Sequence, residues 1–454
     1  MKTLSTCLLA AVVVFATTTA DAARVKRLRR MVVVGDSLLS GFGSGGLVAK
    51  GRPGQIDSAP AFIARRARVA LPQPLMSSPG VPAQYVIVDA NRNGVLDRGE
   101  VRRPTSSVGF RSDTDQRVRN LAVPGEDSAS VFETVSAADV AGSIFGGNVD
   151  GRQILKFLIL GIPSHGDSVS QPSLARDLHP SFLLVWLGNN DVLPMATETN
   201  PDATTVGATE FGSRFRRLLN ALPAVGMAVA NLPDPTRAPV LRRAAGEVTA
   251  CRMPNGQTQP VAADDLLSID LDPQSLPTPP CGKVLDSAEQ AFIHTKIAAY
   301  NAEVAAAVTD VGQSRGINIA LVDVAGAVDD LAAHGVDLDN NGTPDLTTRY
   351  LGGIFSLDGV HPTRTGQALI ANLFIDAINT RFGEQIPRVD VARVASRDRL
   401  AHSRFRPSGE VPFGLIGDTE NDDLASFFDD VFGRIADQAS SLGRRIRRIF
   451  NRFF

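Results

Sequence analysis

The chain has 454 residues, 43% of them hydrophobic and 21% charged, with a formal net charge of −2. That length supports one large domain with appendages or two modest ones, with ample material for a core. The near-neutral charge excludes a global electrostatic pull toward nucleic acid.

At the N-terminus, Lys2 precedes an apolar stretch over 8–16 that is too short to span a bilayer, and Ala20-Asp21-Ala22 fits a small-x-small cleavage site. Residues 1–22 therefore read as a signal peptide, and the mature protein is expected to be secreted or periplasmic; an uncleaved membrane anchor is the competing reading. Cys7 lies inside the apolar stretch, which argues against a lipoprotein anchor. Without this segment two cysteines remain, Cys251 and Cys281. An oxidising compartment favours one disulfide between them, stabilising by about 3–4 kcal/mol, over two free buried thiols.

Short apolar runs bounded by Gly, Pro, Asn or Asp predict strands over 31–34, 121–123, 182–187, 227–232 and 317–324. Helical spacing predicts helices over 58–70, 128–138, 209–222, 287–311 and 365–380. The alternation predicts a parallel sheet with helices on both sides, and ligands in such sheets bind beyond the carboxyl ends of the strands. Ser37, Gly125 and Asn190 all fall at that end of their strands. Two stretches read as insertions, about 44–119 and about 238–280. The main domain is expected over 23–385, with a linker and terminal helix over 386–454.

The first strand runs straight into Gly35-Asp36-Ser37-Leu38, which puts a serine where a buried strand breaks into a loop. Near the far end, Asp358-Gly359-Val360-His361 sets a carboxylate three residues before a histidine. These are a nucleophile, a base and an orienting acid, the parts of a serine hydrolase. Taken alone, Asp358 and Pro362 also fit a helix start, and Asn189-Asn190 fits a turn. None of the predicted strands leads into a Gly-x-Ser-x-Gly elbow. A second Gly166-Asp167-Ser168 has no apolar strand leading into it and reads as a loop. The other five histidines, His165, His179, His294, His334 and His402, have no acid three residues upstream and read as surface or capping residues.

Gly35-Asp36-Ser37-Leu38, Gly125 within Asn120-Leu-Ala-Val-Pro-Gly-Glu, Gly188-Asn189-Asn190-Asp191 and Asp358-Gly-Val-His361-Pro-Thr resemble, in order, the four blocks of the GDSL family of SGNH hydrolases. The resemblance covers roughly 31–381. It implies a three-layer α/β/α flavodoxin-like domain, with Ser37 attacking and His361 as base oriented by Asp358. It also implies an oxyanion hole built from the backbone N–H groups of Ser37 and Gly125 and the side-chain amide of Asn190. The function it implies is a secreted esterase or lipase using an acyl-serine intermediate. Its substrate is a small-molecule or lipid ester, with fatty-acyl esters favoured. The alternatives are a carbohydrate O-deacetylase and a non-catalytic calcium-stapled binding protein on the same fold.

Asp89, Asn91, Asn93, Val95 (through its carbonyl), Asp97 and Glu100, with Gly94 at position 6, match a twelve-residue calcium loop at every key position. Three charged ligands predict weak affinity, about 10⁻⁴–10⁻³ M. Asp337, Asp339, Asn341, Thr343 and Asp345 repeat the first nine positions, but Thr348 at position 12 cannot chelate bidentately. Asn/Asp/Gly turns without metal are the competing reading for both. Neither loop supplies catalytic groups, so structural Ca²⁺ is the only ion expected, with no cofactor in catalysis.

At the C-terminus, Leu424, Phe427, Phe428, Val431, Ile435, Ile446 and Ile449 recur at helical spacing, with Arg444, Arg445, Arg447 and Arg448 late in the segment. This amphipathic helix either docks on the domain or contacts a membrane surface.

Overall fold

The computed structural model describes residues 25–89, 91–96, 100–104, 109–146, 150–161, 167–203, 206–268, 271, 276–402 and 406–407. The expected signal peptide and amphipathic terminal helix, His165 and Asp97 lie outside the described residues. Among the described residues, no helix is long and apolar enough to cross a membrane.

Four parallel strands form the centre: β1 (Met31–Gly35), β2 (Phe182–Trp186), β3 (Gly226–Ala230) and β4 (Ile319–Val322), hydrogen-bonded in that order. Met31 faces Phe182, Phe182 faces Gly226, and Met227 faces Ile319. On the free side of β1, the Val33 N–H donates to Arg119 O at 2.8 Å. The Leu121 and Val123 N–H groups donate back to Val33 O and Gly35 O at 2.9 and 3.0 Å. The predicted strand at 121–123 is therefore a short ladder on β1 with one bridge, Val33–Asn120, rather than a regular strand. With it the spatial order becomes 2-1-3-4-5 in chain order, the flavodoxin-like arrangement.

Side chains of a strand alternate between faces, and this sheet is covered on both. Val32, Val34, Leu183, Val185 and Val229 join one core layer with Phe211, Phe215 and Leu219 of α3 (Ala208–Ala221) and Ile293, Ile297 and Tyr300 of α4 (Ser287–Arg315). Met31, Val33, Phe182, Leu184 and Trp186 join the other with Phe62 and Ile63 of α1 (Ala59–Arg66) and Phe374, Ile375 and Ile378 of α6 (Arg364–Phe382). Between α1 and α3 lies α2 (Gln171–Asp177), and after β4 comes α5 (Val324–His334). The three-layer α/β/α prediction holds.

Three of the departures from the expected boundaries have a local reason. Helix α1 stops at Arg66 because Arg68 adopts φ +56°. Strand β4 stops at Val322 because Asp323 caps α5, accepting from the Gly326 N–H at 3.0 Å. The helix predicted over 128–138 is only a 3₁₀ turn, Ser130–Phe132, followed by a separate helix, Ala137–Gly146. Ser128 is drawn away by Asp191, which accepts from both its N–H and its hydroxyl at 2.9 and 2.6 Å. Ser136 and Asp139 then form a fresh start, bonded at 2.6 Å.

The second insertion is a lobe built on a three-stranded antiparallel sheet, Leu241–Arg243, Leu266–Ser268 and Val284–Leu285. Its own small core includes Ala244, Val248, Leu267 and Val284. The disulfide Cys251–Cys281 closes it, as the cysteine count predicts.

Candidate active site

Ser37 opens a four-residue helix, Ser37–Ser40, directly after β1. The turn is tight because β1 and β2 touch there: a Cβ on Gly35 would lie 2.5 Å from Trp186 O. Asp36 caps this helix, accepting from the Leu38 N–H at 3.0 Å, while its other oxygen accepts from the Asn189 amide at 2.8 Å. Burial pushes the Asp36 carboxyl up to about 6 against the lowering effect of those donors. Below the turn, Gln171 on α2 brackets Gly35, with both amide positions at 2.9 Å from its backbone N–H and carbonyl.

His361 and Asp358 are fully buried in the turn before α6. The imidazole Nδ1 lies 3.0 Å from Asp358 Oδ2. The carboxylate is held from several directions. Oδ1 accepts from the His361 and Val360 N–H groups at 2.8 and 3.0 Å and from the Ser356 hydroxyl at 3.1 Å. Oδ2 also accepts from the Gly45 N–H at 2.7 Å. Burial alone would raise the Asp358 carboxyl; the His361 charge and these donors outweigh it and hold the group below its ordinary value. On the other side the imidazole packs against Phe42, with ring centroids 4.7 Å apart. Phe42 follows the Ser37 helix by two residues, so the serine and histidine segments are packed together.

Gly125 sits at the end of the segment paired with β1, with φ +80°, a conformation that disfavours a side chain. Asn190 lies on the short helix Asn189–Val192 after β2. One amide hydrogen of Asn190 is donated to Glu126 O at 2.7 Å, which leaves its second for another acceptor. Ser37 and Asn190 line one cleft of about 910 Å³, counting its open mouth, together with Val360 and Pro362 on either side of His361. The first, third and fourth blocks thus converge at the carboxyl end of the sheet. Gly125 stands one residue from the carbonyl that holds Asn190.

Sequence reasoning missed the supports beneath this cluster. Lys156 and Glu126 form a buried ion pair at 3.0 Å, with side chains 5% and 7% exposed. Burial pushes the Glu126 carboxyl up from its ordinary value, against the opposing pull of Lys156. Asp191, likewise raised by burial to about 6, is bonded to Ser128. Together with the Asn190–Glu126 bond, this fastens the third block to the second. Lys156 is separated from Glu126 by 30 residues, and no local pattern announces the pairing.

The two candidate calcium segments lie outside this cluster in sequence and contribute none of its side chains. In the first, Gly94 N–H donates to Asp89 Oδ2 at 3.3 Å and Asn93 N–H to Asn91 Oδ1 at 3.0 Å. Asp89 Oδ1 is buried with no hydrogen-bond partner, and Glu100 is 6% exposed. In the second, single oxygens of Asp337, Asp339 and Asp345 come within 4.8 Å of one another on an exposed loop. Among the other histidines, His294 approaches Asp234 at 3.3 Å and His334 approaches Asp330 at 2.9 Å, both at the surface, as expected.

A family model described as GDSL-like Lipase/Acylhydrolase matches residues 31–374. No curated protein matches the chain.

Proposed function

The chain belongs to the GDSL-like lipase/acylhydrolase family and is therefore an ester-hydrolysing enzyme; from that premise we propose that it is a serine esterase acting on lipid or fatty-acyl esters. One observation carries the reading. A buried imidazole with Nδ1 fixed on a carboxylate at 3.0 Å packs beside the segment bearing Ser37, and Ser37 and Asn190 line one largely apolar cleft.

In this mechanism the Ser37 hydroxyl attacks the ester carbonyl as His361 Nε2 takes its proton. Asp358, kept ionised, holds the tautomer and stabilises the imidazolium. The Ser37 and Gly125 N–H groups and the second Asn190 amide hydrogen receive the oxyanion. Collapse expels the alcohol, which takes the proton from His361. Water, deprotonated by the same imidazole, then releases the acid and restores Ser37. Ser37→Ala should abolish turnover and labelling by a fluorophosphonate, and Asn190→Ala should lower kcat about 100- to 1000-fold. An unchanged rate in Ser37→Ala defeats the reading.

The proposal extends to location and to metal. The Cys251–Cys281 bridge is compatible with an oxidising compartment outside the cytoplasm. The unpartnered Asp89 oxygen, with Glu100 close to the same loop's end, supports a structural Ca²⁺ held by residues 89–100.

A further inference from the structure

The cleft that starts at Ser37 continues away from it between two helix faces. Helix α5 contributes Val328 and Leu331, and α6 contributes Leu369 and Leu373, all half-buried. The polar groups of the lining gather near Ser37 as Asn189 and Asn190; the remaining one, Asp234, has one oxygen bonded to the Thr236 N–H and hydroxyl at 2.9 and 2.7 Å and the other beside His294. The deeper part is therefore a hydrocarbon surface, suited to an alkyl chain and unsuited to a sugar ring, which needs polar partners for its hydroxyls.

The walls also set a length. Gly366 to Leu373 on α6 and Val324 to Leu331 on α5 each cover about two helical turns, or roughly 10 Å. An extended alkyl chain with bonds of about 1.5 Å advances roughly 1.3 Å per carbon, so about eight carbons fill that distance. We propose that this cleft binds one alkyl chain of the ester, about eight carbons long, and that Leu331 and Leu373 set its upper limit. The inference rests on Ser37 being the nucleophile.

The alkyl chain belongs to either the acyl or the alcohol side of the ester, and two substrate series separate them. One is p-nitrophenyl esters from acetate to palmitate; the other is acetate esters of alcohols of the same lengths. In one series kcat/KM should rise on the order of three- to fourfold per methylene up to about eight carbons and then level, while the other stays flat. Leu373→Trp and Leu331→Trp should lower the ratio of eight-carbon to two-carbon kcat/KM at least tenfold in the responsive series. Leu373→Ala, which makes room instead of filling it, should move the plateau to longer chains and serves if the tryptophan variants fold poorly. A flat profile in both series, or Trp and Ala variants that scale all lengths equally, overturns the proposal. The Ser37→Ala control separates the two failures. If it is inactive while the profile is flat, only the cleft assignment falls; if it is active, the nucleophile assignment falls first.

Discussion

The Gly45 N–H and the His361 imidazole meet on one oxygen, Asp358 Oδ2, at 2.7 and 3.0 Å. Gly45 lies at the start of the first insertion, more than 300 residues from Asp358. The insertion is thus part of the scaffold of the candidate acid. It is anchored in turn by Arg103, which donates to Gly45 O at 2.7 Å with its guanidinium 4.2 Å from the Tyr85 ring centre. The order Arg103, Gly45, Asp358, His361 carries rigidity from the insertion to the candidate base.

Arg103→Ala should therefore affect both stability and turnover. Loss of a buried charged hydrogen bond and of the stacked guanidinium should cost about 2–3 kcal/mol in urea unfolding. Because Asp358 keeps its other donors, kcat should fall by only about tenfold, with KM changed less. Unchanged kcat at substrate saturation would separate Gly45 from the orientation of the acid.

Asp36 gives a pH signature. Its folded-state carboxyl stands at about 6, raised by burial, against 3.8 in the unfolded chain. A group that binds its proton more tightly when folded favours folding in acid. That advantage is lost as pH rises through the folded value. Relative to Asp36→Asn, the wild type should lose about 2–3 kcal/mol of stability between pH 4 and pH 7. Urea midpoints of both proteins across that interval measure it, and parallel curves would contradict it.

These two positions mark what could be read from the sequence. The strands were legible because burial on both faces makes them continuous apolar runs: Met31 to Val34 and Phe182 to Trp186 are entirely buried. The serine, histidine and aspartate were legible because each sits in a short local pattern at a strand end or helix start. The supports were not, because they pair residues remote in sequence through single side chains: Gln171 on Gly35, Lys156 on Glu126, Arg103 on Gly45. The 128–138 stretch failed for the same reason. Its composition permits a helix, but Ser128 is committed to Asp191, 63 residues away.

The Lys156–Glu126 pair should behave as buried pairs do. Glu126→Ala strands the Lys156 ammonium, which keeps its bond to the Ser130 carbonyl at 2.6 Å, at a cost of about 3–5 kcal/mol. Replacing both residues by methionine should restore most of that stability, because the desolvation penalty disappears along with the attraction. Activity should recover less than stability, since the Asn190 amide relies on the placement of the Glu126 carbonyl. A double variant as unstable as the single one would show that the charges themselves hold this loop.

Calcium is testable without reference to catalysis. With affinity near 10⁻⁴–10⁻³ M, 10 mM free Ca²⁺ should add about 1–3 kcal/mol to the folded state by mass action, visible as a rise of a few degrees in melting temperature. Asp89 supplies the buried oxygen with no hydrogen-bond partner, so Asp89→Asn should abolish the shift by removing a charge from the first ligand position. Asp337→Asn reports on the exposed second loop, where water already solvates the carboxylates, and should change the shift less. Magnesium should not substitute, because it demands a tighter octahedral shell than a long loop of mixed carboxylate and carbonyl ligands provides. A melting temperature indifferent to calcium would reduce the 89–100 segment to a turn held by Asn and Gly.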